Sequence, residues 1–359
     1  MSVKPRNNID TLPPYRVARS VDTLKREYGL EKITKLAANE NTLGFSKRVW
    51  KAIKKIGSQY PDGSAFNLRS KLSEEFGLTP DNVITGNGSF ELLYLTGIAF
   101  LSEGDETIAA SPSFGWYKSV TNIMGGKFIP VPVKDFHVDL DAIAGTVTQK
   151  TKIIWLCNPN NPTGTVFTHK ELTEFLKKIP DTVLVVLDEA YVDFVEEPDF
   201  PDSISILKEH DNILILRTFS KLEGLASFRV GYGFSSMEII SALNKVRIPP
   251  NVNAFAQAAA LASIDDRDFK NKTAKNAREQ KKVYYEAFKK FGFKVVPSNT
   301  NFIFFDIGRE ANTVVEEFLK RGILIRSGAE YGFPTMIRLT VGRPKENRRV
   351  IKIFEELFK

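Results

Sequence analysis

Polar residues that could do chemistry follow four short apolar runs of this sequence, at the point where each run ends. The four segments are residues 86–89, 158–164, 188–191 and 217–221. Glycines ahead of a helix leave backbone N–H groups free, and together with the positive end of the helix they suit a phosphate. A carboxylate after a buried run needs a cationic or N–H partner, because an unpaired buried charge is very costly. A lysine among other cations has a lowered pKa, which makes its amine a nucleophile towards carbonyls.

Each segment has an ordinary structural explanation when it is taken alone. A glycine-rich turn needs no ligand, Asp188 could belong to a structural salt bridge, and Lys221 could be a solvated surface lysine. Together, the segments supply a phosphate-binding turn, a carboxylate, an amide, a phenol and an amine. These are the groups that pyridoxal 5'-phosphate (PLP) requires, with the carboxylate keeping the pyridine nitrogen protonated. The four segments therefore predict a PLP site.

Apolar runs bounded by turn residues predict the buried strands that position these segments. The runs lie at 83–85, 107–110, 152–157, 182–187 and 213–217. Helical patterns lie between several of them, for example at 90–101 and 170–178. This alternation predicts an α/β fold with a mainly parallel sheet covered by helices. Ligands of such sheets gather at the carboxyl ends of the strands, which is where the four segments lie.

Three regions are predicted along the chain. Residues 1–44 are polar, contain two adjacent prolines and are predicted to form an N-terminal arm. Residues 45–250 are predicted to form the large domain that holds the sheet. A long helical stretch then replaces the alternating pattern, so residues 251–359 are predicted to form a smaller α+β domain that packs with part of the arm.

The composition is typical of a globular chain and excludes several classes of protein. The chain has 359 residues, 42% of them hydrophobic, and one cysteine, Cys157, so no intramolecular disulfide can form. The 50 Lys and Arg residues against 43 Asp and Glu leave a net charge of only +7, which does not predict a nucleic-acid partner. Three widely separated histidines predict no metal site. No signal peptide or membrane span is readable, so the predicted location is the cytoplasm.

Further motifs make the chain resemble the fold-type I PLP-dependent aminotransferases, and most of all the histidinol-phosphate aminotransferases. Besides the four segments, the resemblance rests on motifs at 14–15, 36–41, 60–63, 326–328 and 338–342. It implies a transamination that converts histidinol phosphate and 2-oxoglutarate to imidazole-acetol phosphate and glutamate, a step of histidine biosynthesis. It also implies a homodimer with shared active sites.

The resemblance implies a role for each residue of the cofactor site. Lys221 would link to the PLP aldehyde and later move the proton at the substrate α-carbon. Asp188 would pair with the pyridine nitrogen, and Asn161 and Tyr191 would hydrogen-bond the phenolic oxygen. The other implied cofactor contacts are Gly88, Ser89, Phe114, Thr218, Ser220, Arg229 and, from the neighbouring subunit, Tyr60.

The resemblance also implies which residues surround the substrate. Tyr15, Arg326 and Arg338 match positions near the anionic end of the substrate, and Asn161 is shared with the cofactor site. Arg338 would offer a bidentate fork that suits a phosphate or a carboxylate. Surface arginines more often form ordinary ion pairs, so the motif context carries this assignment.

The sequence departs from the family's pattern at positions that bear on the substrate. Phe90 stands where many relatives have an acidic residue, Glu223 where an aromatic residue is common, and Thr42 where proline is usual. None of them removes an implied cofactor contact. Two alternatives therefore stay open, an aromatic-amino-acid aminotransferase and, with less support, a PLP-dependent phospho-amino-acid decarboxylase. A binding protein without catalysis is disfavoured, because such a scaffold has no need for Lys221.

Overall fold

The computed structural model of the chain describes residues 3–10, 12 and 20–359, so Tyr15 lies outside the described residues. The strands in this part of the chain are β1 (Thr34–Lys35), β2 (Val83–Gly86), β3 (Glu106–Ser111), β4 (Lys127–Pro132), β5 (Thr151–Cys157), β6 (Leu184–Asp188), β7 (Ile213–Thr218), β8 (Gly231–Ser235), β9 (Lys294–Val296), β10 (Phe302–Asp306), β11 (Ile323–Leu324), β12 (Arg326–Ser327) and β13 (Met336–Thr340).

The α-helices in the same part are α1 (Asn7–Asp10), α2 (Val21–Tyr28), α3 (Lys47–Ile53), α4 (Phe66–Phe76), α5 (Ser89–Phe100), α6 (Trp116–Ile123), α7 (Leu140–Gly145), α8 (His169–Leu176), α9 (Ser203–Leu207), α10 (Met237–Val246), α11 (Ala254–Ile264), α12 (Arg267–Lys290), α13 (Ala311–Lys320) and α14 (Pro344–Leu357). Short 3₁₀ turns lie at Pro80–Asn82, Val192–Phe194, Ala226–Phe228 and Ala329–Tyr331.

Seven strands form the large sheet, in the order β2-β8-β7-β6-β5-β3-β4. Every pair from β7 to β4 is parallel, and only β8 runs against its two neighbours. The central strands are apolar at nearly every position because both faces of the sheet are covered. The predicted α/β architecture with a mainly parallel sheet is confirmed.

Alternate residues of the central strands supply two hydrophobic cores, one on each face of the large sheet. On β5, Ile154 and Leu156 join one core, while Ile153 and Trp155 join the other. The two-residue period of a strand sends successive side chains to opposite faces, so one apolar run serves both cores. Helices close each core from outside, and the strand ends are held in place by this packing.

A second, smaller sheet is antiparallel and has the order β12-β13-β10-β9. It packs with α12, α13 and α14 around a largely aromatic core that includes Phe288, Phe305 and Phe354. β1 belongs to the predicted arm and pairs in parallel with β11, so the chain ahead of residue 44 does contact the C-terminal part. The smaller α+β unit is present as predicted.

α11 follows the predicted boundary at residue 250 but packs against α3 and α4. Its Ala256, Ala259 and Ala260 lie in the same hydrophobic core as the interior of the large sheet. Small side chains allow this close helix packing, which periodicity alone does not reveal. The division into residues 1–44, 45–250 and 251–359 stays a prediction.

The longest helix is α12, with 24 residues and a strongly charged outer surface. Its inward positions include Thr273, Ala277, Tyr284 and Phe288, at the spacing of an amphipathic helix. None of the helices in the described ranges combines the length and the apolar character needed to cross a membrane.

Candidate active site

A cavity of about 360 Å³ lies where β5, β6 and β7 end, at the carboxyl edge of the large sheet. Its volume is in the range of small-molecule sites. Parallel register places Cys157 beside Asp188 and Asp188 beside Leu216, so the segments that follow the three strands meet at one place. The cavity is lined by ten of the residues predicted from the sequence, Gly88, Ser89, Phe114, Asn161, Asp188, Tyr191, Thr218, Ser220, Lys221 and Arg229.

The start of α5 forms a glycine-containing turn that lines the cavity. Gly88 has a φ of +75° and precedes the first helical residue, Ser89, whose backbone N–H is among the unpaired donors of the first turn. A Cβ on Gly88 would lie 2.5 Å from Nη2 of Arg229, so only glycine lets the guanidinium approach the turn. Arg229 itself has a φ of +60°, and backbone strain of this kind is common at functional sites. The turn, the helix end and the guanidinium together suit a phosphate.

Asp188 is a buried carboxylate at the floor of the cavity. Its Oδ2 accepts a hydrogen bond of 2.7 Å from the hydroxyl of Tyr117, and its Oδ1 accepts one of 3.3 Å from the backbone N–H of Ala190. Burial raises the pKa of Asp188 to about 6, while the Tyr117 hydrogen bond acts in the opposite direction. Within the described ranges it forms no ion pair, so a ligand with a protonated nitrogen would supply the missing positive charge.

Tyr117 is a functional candidate that the sequence reasoning missed. Its ring is fully buried and stacks on Trp155, with ring centroids 5.4 Å apart and planes 4° apart. It follows Phe114 by three residues, and its backbone N–H donates to the carbonyl oxygen of Phe114 at 3.3 Å at the start of α6. The short distance from Phe114 in the sequence was the available signal, but the partner of the tyrosine could not be inferred from the spacing.

The amine of Lys221 lines the cavity, and it forms no ion pair with a carboxylate of the described residues. Nζ donates to the carbonyl oxygen of Ala38 at 3.2 Å and lies 5.5 Å from the ring centroid of Tyr191. Burial, followed by the charge of Arg338, lowers the pKa of Lys221 to about 8. A much larger fraction of this amine is neutral at physiological pH than for an ordinary lysine, as a nucleophile requires.

Asn161 and Tyr191 are both held by residues from other parts of the chain. Oδ1 of Asn161 accepts a hydrogen bond of 2.6 Å from Nη1 of Arg338. The amide nitrogen of Asn161 can therefore donate a hydrogen bond to a ligand. The Tyr191 hydroxyl accepts one of 3.0 Å from Nδ2 of Asn39, a residue of the 36–41 motif. Burial raises the pKa of Tyr191, so the phenol stays a neutral donor. Both residues line the cavity, and each keeps a donor group for a ligand.

Aromatic side chains form one wall of the cavity. Phe114 meets Tyr117 edge to face, with centroids 5.7 Å apart. The ring centroid of Phe90 lies 4.3 Å from that of Trp116 and 6.4 Å from that of Phe114. The wall offers Phe114 as the ring that could stack on a flat ligand, and the Phe90 departure makes the wall more apolar.

The remaining predicted residues lie outside this cavity. Arg338 is buried and reaches it through Asn161, whereas Arg326 is paired with Glu330 at 2.6 and 2.5 Å. Tyr60 is 92% exposed on the surface, where its predicted role in a neighbouring subunit stays a prediction. Tyr15 is among the residues that are not described.

The donor set fits PLP. The turn before α5, with Arg229, suits a phosphate, and the unpaired Asp188 carboxylate suits a pyridine nitrogen. The Lys221 amine suits an aldehyde, and the Phe114 ring lines the same cavity. A phosphate alone would explain the first group, but it would leave Asp188 and Lys221 buried without a function.

Comparison with known proteins gives consistent results. The family model described as aminotransferase class I and II matches residues 31–354. Histidinol-phosphate aminotransferase 2 of Carboxydothermus hydrogenoformans is 43% identical over 350 residues, which are 96% of this chain and 97% of that protein. The histidinol-phosphate aminotransferase of Brevibacillus brevis is 41% identical over 358 residues, 99% of this chain and 98% of the relative. A crystal structure of the Sinorhizobium meliloti histidinol-phosphate aminotransferase in complex with pyridoxal-5'-phosphate superposes with a TM-score of 0.92 at 25% identity, covering 99% of both chains.

Proposed function

This chain belongs to the aminotransferase class I and II family, and from that premise we propose that it transfers the amino group between histidinol phosphate and 2-oxoglutarate. The products are imidazole-acetol phosphate and glutamate, a step of histidine biosynthesis. Two histidinol-phosphate aminotransferases align with almost the whole chain at more than 40% identity, which supports the assignment.

One observation carries the proposal. The buried amine of Lys221 lies in the same cavity as an unpaired carboxylate, Asp188, and the phosphate-binding turn at Gly88. PLP, when bound, supplies an aldehyde for amines and a protonated ring that withdraws electrons from the substrate α-carbon.

The residues of the chain have separate tasks in this reaction. Lys221 would accept the proton from the substrate α-carbon and deliver it to the C4' carbon of the cofactor, because a pKa near 8 lets the amine act as a base and its conjugate acid as an acid. Asp188 holds the ring nitrogen in its protonated form. Asn161 and Tyr191 donate to the phenolic oxygen, and the turn at Gly88 fixes the phosphate and thereby the orientation of the ring.

Arg338 is the proposed anchor for the anionic end of the substrate. It is buried and adjacent to the cavity, and Asn161 connects it to the cofactor contacts. We place Arg326 and Tyr15 near the same end of the substrate on the strength of the family resemblance.

The test of the proposal is reductive labelling of the holoenzyme with borohydride, followed by peptide mapping and half-reactions followed by absorbance. The label should be on Lys221, and Lys221→Ala should abolish turnover. Lys281 is a matched control, since it is also buried with a lowered pKa, but it donates to the Ser298 carbonyl oxygen and lies 3.6 Å from Glu196. A label on Lys281, or turnover in Lys221→Ala, would contradict the assignment.

The same half-reactions separate the alternatives. One feature favours an aromatic-amino-acid aminotransferase. Phe90 and Phe114 line the cavity with apolar rings, and Trp116 packs against Phe90. Half-reactions with phenylalanine or tyrosine, and no half-reaction with histidinol phosphate, would establish an aromatic-amino-acid aminotransferase. Release of carbon dioxide from O-phosphothreonine would establish a decarboxylase instead.

We also propose that the enzyme is a homodimer with shared active sites. Four aromatic side chains that are half exposed or more lie on or beside α11 and the two helices that it packs against, α3 and α4. Exposed apolar patches of this kind mark interfaces. The four side chains are Trp50, Tyr60, Phe66 and Phe255.

Mixed subunits test the shared site. Co-expression of Lys221→Ala and Tyr60→Ala chains should restore about a quarter of the wild-type sites, because a hybrid dimer contains one site with both native residues. Activity no higher than the mean of the two separate variants would contradict sharing, and a monomeric mass in light scattering would contradict the dimer.

We place the reaction in the cytoplasm, where small metabolites are interconverted. Cys157 is the only cysteine and is free and buried, which is compatible with a reducing compartment. Fractionation of cells should recover the activity with cytoplasmic markers, and recovery with secreted proteins would contradict this placement.

A further inference from the structure

Two arginines face each other in the small sheet, next to the candidate active site. Arg326 on β12 and Arg338 on β13 are directly opposite in the antiparallel pairing. Side chains that are directly opposite project from the same face of a sheet, with Cβ atoms about 5 Å apart, and like charges in this position repel each other. The pair therefore needs anions or strong acceptors close by.

Arg338 is surrounded by neutral acceptors. Nη1 donates to Oδ1 of Asn161 at 2.6 Å and to the hydroxyl of Tyr331 at 3.0 Å, while Nη2 donates to the carbonyl oxygen of Ala37 at 2.7 Å. Its Nε is buried without a hydrogen-bond partner, and no carboxylate of the described residues forms an ion pair with this guanidinium. The positive charge of Arg338 is thus available to a ligand.

Arg326, in contrast, is neutralised by a carboxylate. Nε donates to Oε1 of Glu330 at 2.6 Å and Nη2 donates to Oε2 at 2.5 Å, so the carboxylate is bound through two parallel hydrogen bonds on one edge of the guanidinium. The two side chains are 38% and 42% exposed. The carboxylate can therefore turn into solvent without becoming a buried unpaired charge, and a second anion can compete with it for the same two N–H groups.

One short turn contacts both arginines. Glu330 and Tyr331 are adjacent in the 3₁₀ turn Ala329–Tyr331, between the strands that carry Arg326 and Arg338. Glu330 binds Arg326, and the hydroxyl of Tyr331 accepts from Arg338. With Glu330 in place, the two guanidinium groups and one carboxylate carry a single net positive charge. When Glu330 turns away, the two arginines carry two positive charges.

We propose that Glu330 is a specificity-determining residue, an internal anion that neutralises Arg326 when the substrate ends in a carboxylate and releases it when the substrate ends in a phosphate monoester. This inference rests on the proposed function, because that reaction brings a phosphate ester and a dicarboxylate to one site in turn. A single positive charge matches the distal carboxylate of glutamate. Two positive charges match a phosphate dianion.

The test uses the holoenzyme and the variant Glu330→Gln, which keeps the size of the side chain and removes its charge. In the holoenzyme the phosphate of PLP would fill the Gly88 turn, so added inorganic phosphate would report on the substrate end. At fixed ionic strength, calorimetry should show inorganic phosphate binding about five- to twentyfold more tightly to the variant. KM for histidinol phosphate should fall by a similar factor, while kcat and KM for glutamate stay within about twofold.

Two further variants control the measurement. Glu317→Gln removes a carboxylate of α13 from an ion pair with the same four-residue spacing, in which Glu317 lies 2.6 Å from Nη1 of Arg321, and should leave phosphate binding unchanged. Arg326→Gln should weaken phosphate binding and make it insensitive to a second change at Glu330. The inference would be overturned if Glu330→Gln left the phosphate affinity unchanged. It would also be overturned if the variant bound phosphate and glutamate more tightly by the same factor.

The outcomes separate the two proposals. Tighter phosphate binding by Glu330→Gln, without turnover of histidinol phosphate by any variant, would support the role of Glu330 and contradict the proposed function. Normal turnover of histidinol phosphate with no change in phosphate affinity would support the function and remove the role of Glu330.

Discussion

The hydroxyl of Tyr117 donates a 2.7 Å hydrogen bond to Oδ2 of Asp188, and both groups are buried beneath the candidate PLP site. The bond fixes the orientation of the carboxylate and stabilises its ionised form, which burial alone disfavours. A carboxylate that becomes protonated can no longer hold the ring nitrogen in its charged form. Tyr117 is therefore a positioning residue that acts through Asp188.

Replacing Tyr117 with Phe should lower kcat by about ten- to a hundredfold, because a charge-assisted hydrogen bond contributes about 1.5–3 kcal/mol. The pKa of Asp188 is already raised to about 6, and loss of the donor should raise it further. The acidic limb of the pH–rate profile should consequently move to higher pH. A variant with lower kcat but an unshifted acidic limb would show that Tyr117 acts only through packing on Trp155.

Gly88 should be intolerant of any side chain. Its φ is +75°, and a Cβ would lie 2.5 Å from Nη2 of Arg229. Gly88→Ala should therefore weaken PLP binding by at least about tenfold, in addition to a backbone cost of about 1 kcal/mol. Equilibrium dialysis against PLP measures the first effect and urea unfolding the second.

Gly104 provides the matched control for this prediction. Its φ is +85°, and nothing lies within 4 Å of a Cβ placed there. Gly104→Ala should show the loss of stability without any change in PLP affinity. Equal PLP affinities for the two variants would indicate that Gly88 does not contribute to a phosphate site.

Much of the site could be predicted from the sequence because apolar runs mark buried strands and polar residues at their ends must meet at one edge. Asp188 and Lys221 are examples, since β6 and β7 end at or just before them and lie side by side. The parallel sheet turns positions far apart in the chain into neighbours, and this follows from strand order and direction alone.

Other features depend on side-chain packing and could not be predicted. Arg326 pairs with Glu330 in the structure, although an arginine in this motif suits a substrate anion equally well. The hydrogen bond between Asn39 and Tyr191 joins residues 152 positions apart. Likewise, the alanines of α11 join the core of the large sheet, because helix packing rather than local periodicity decides their place.

Lys221 should react with PLP at an unusually low pH. Burial and the charge of Arg338 lower its pKa to about 8, so the neutral amine increases about tenfold per pH unit below that value and then levels off. The rate of PLP uptake by the apoprotein, followed by borohydride trapping, should have the same shape. A rate that keeps rising to about pH 10 would contradict the lowered pKa.

Substitutions of Arg338 test the electrostatic part of this explanation. Arg338→Gln removes a cation that disfavours the charged amine, so the break in the pH profile should move upward. Arg338→Lys keeps a positive charge and should leave the break nearly unchanged. Equal shifts in both variants would mean that burial alone sets the reactivity of Lys221.

Glu223 should make the free energy of unfolding depend on pH. It is buried two residues after Lys221, and its Oε2 has no hydrogen-bond partner. Burial, and then the charge of Asp193, raise the pKa of Glu223 to about 8, while Lys270 acts in the opposite direction and Glu75 adds to the rise. The folded protein thus retains a proton that the unfolded chain has lost above about pH 4.5.

A raised carboxyl pKa stabilises the folded state fully below the unfolded pKa, and that contribution is lost as the pH rises through the folded pKa of about 8. Glu223→Gln, which stays neutral, should therefore be more stable than the parent at pH 9, by about 1–3 kcal/mol. Urea unfolding of both holoenzymes between pH 6 and 9 should give a stability difference that grows with pH. Glu279→Gln, on the exposed side of α12, should show no such trend, and a pH-independent difference for Glu223→Gln would mean that the carboxyl is not protonated in the folded enzyme.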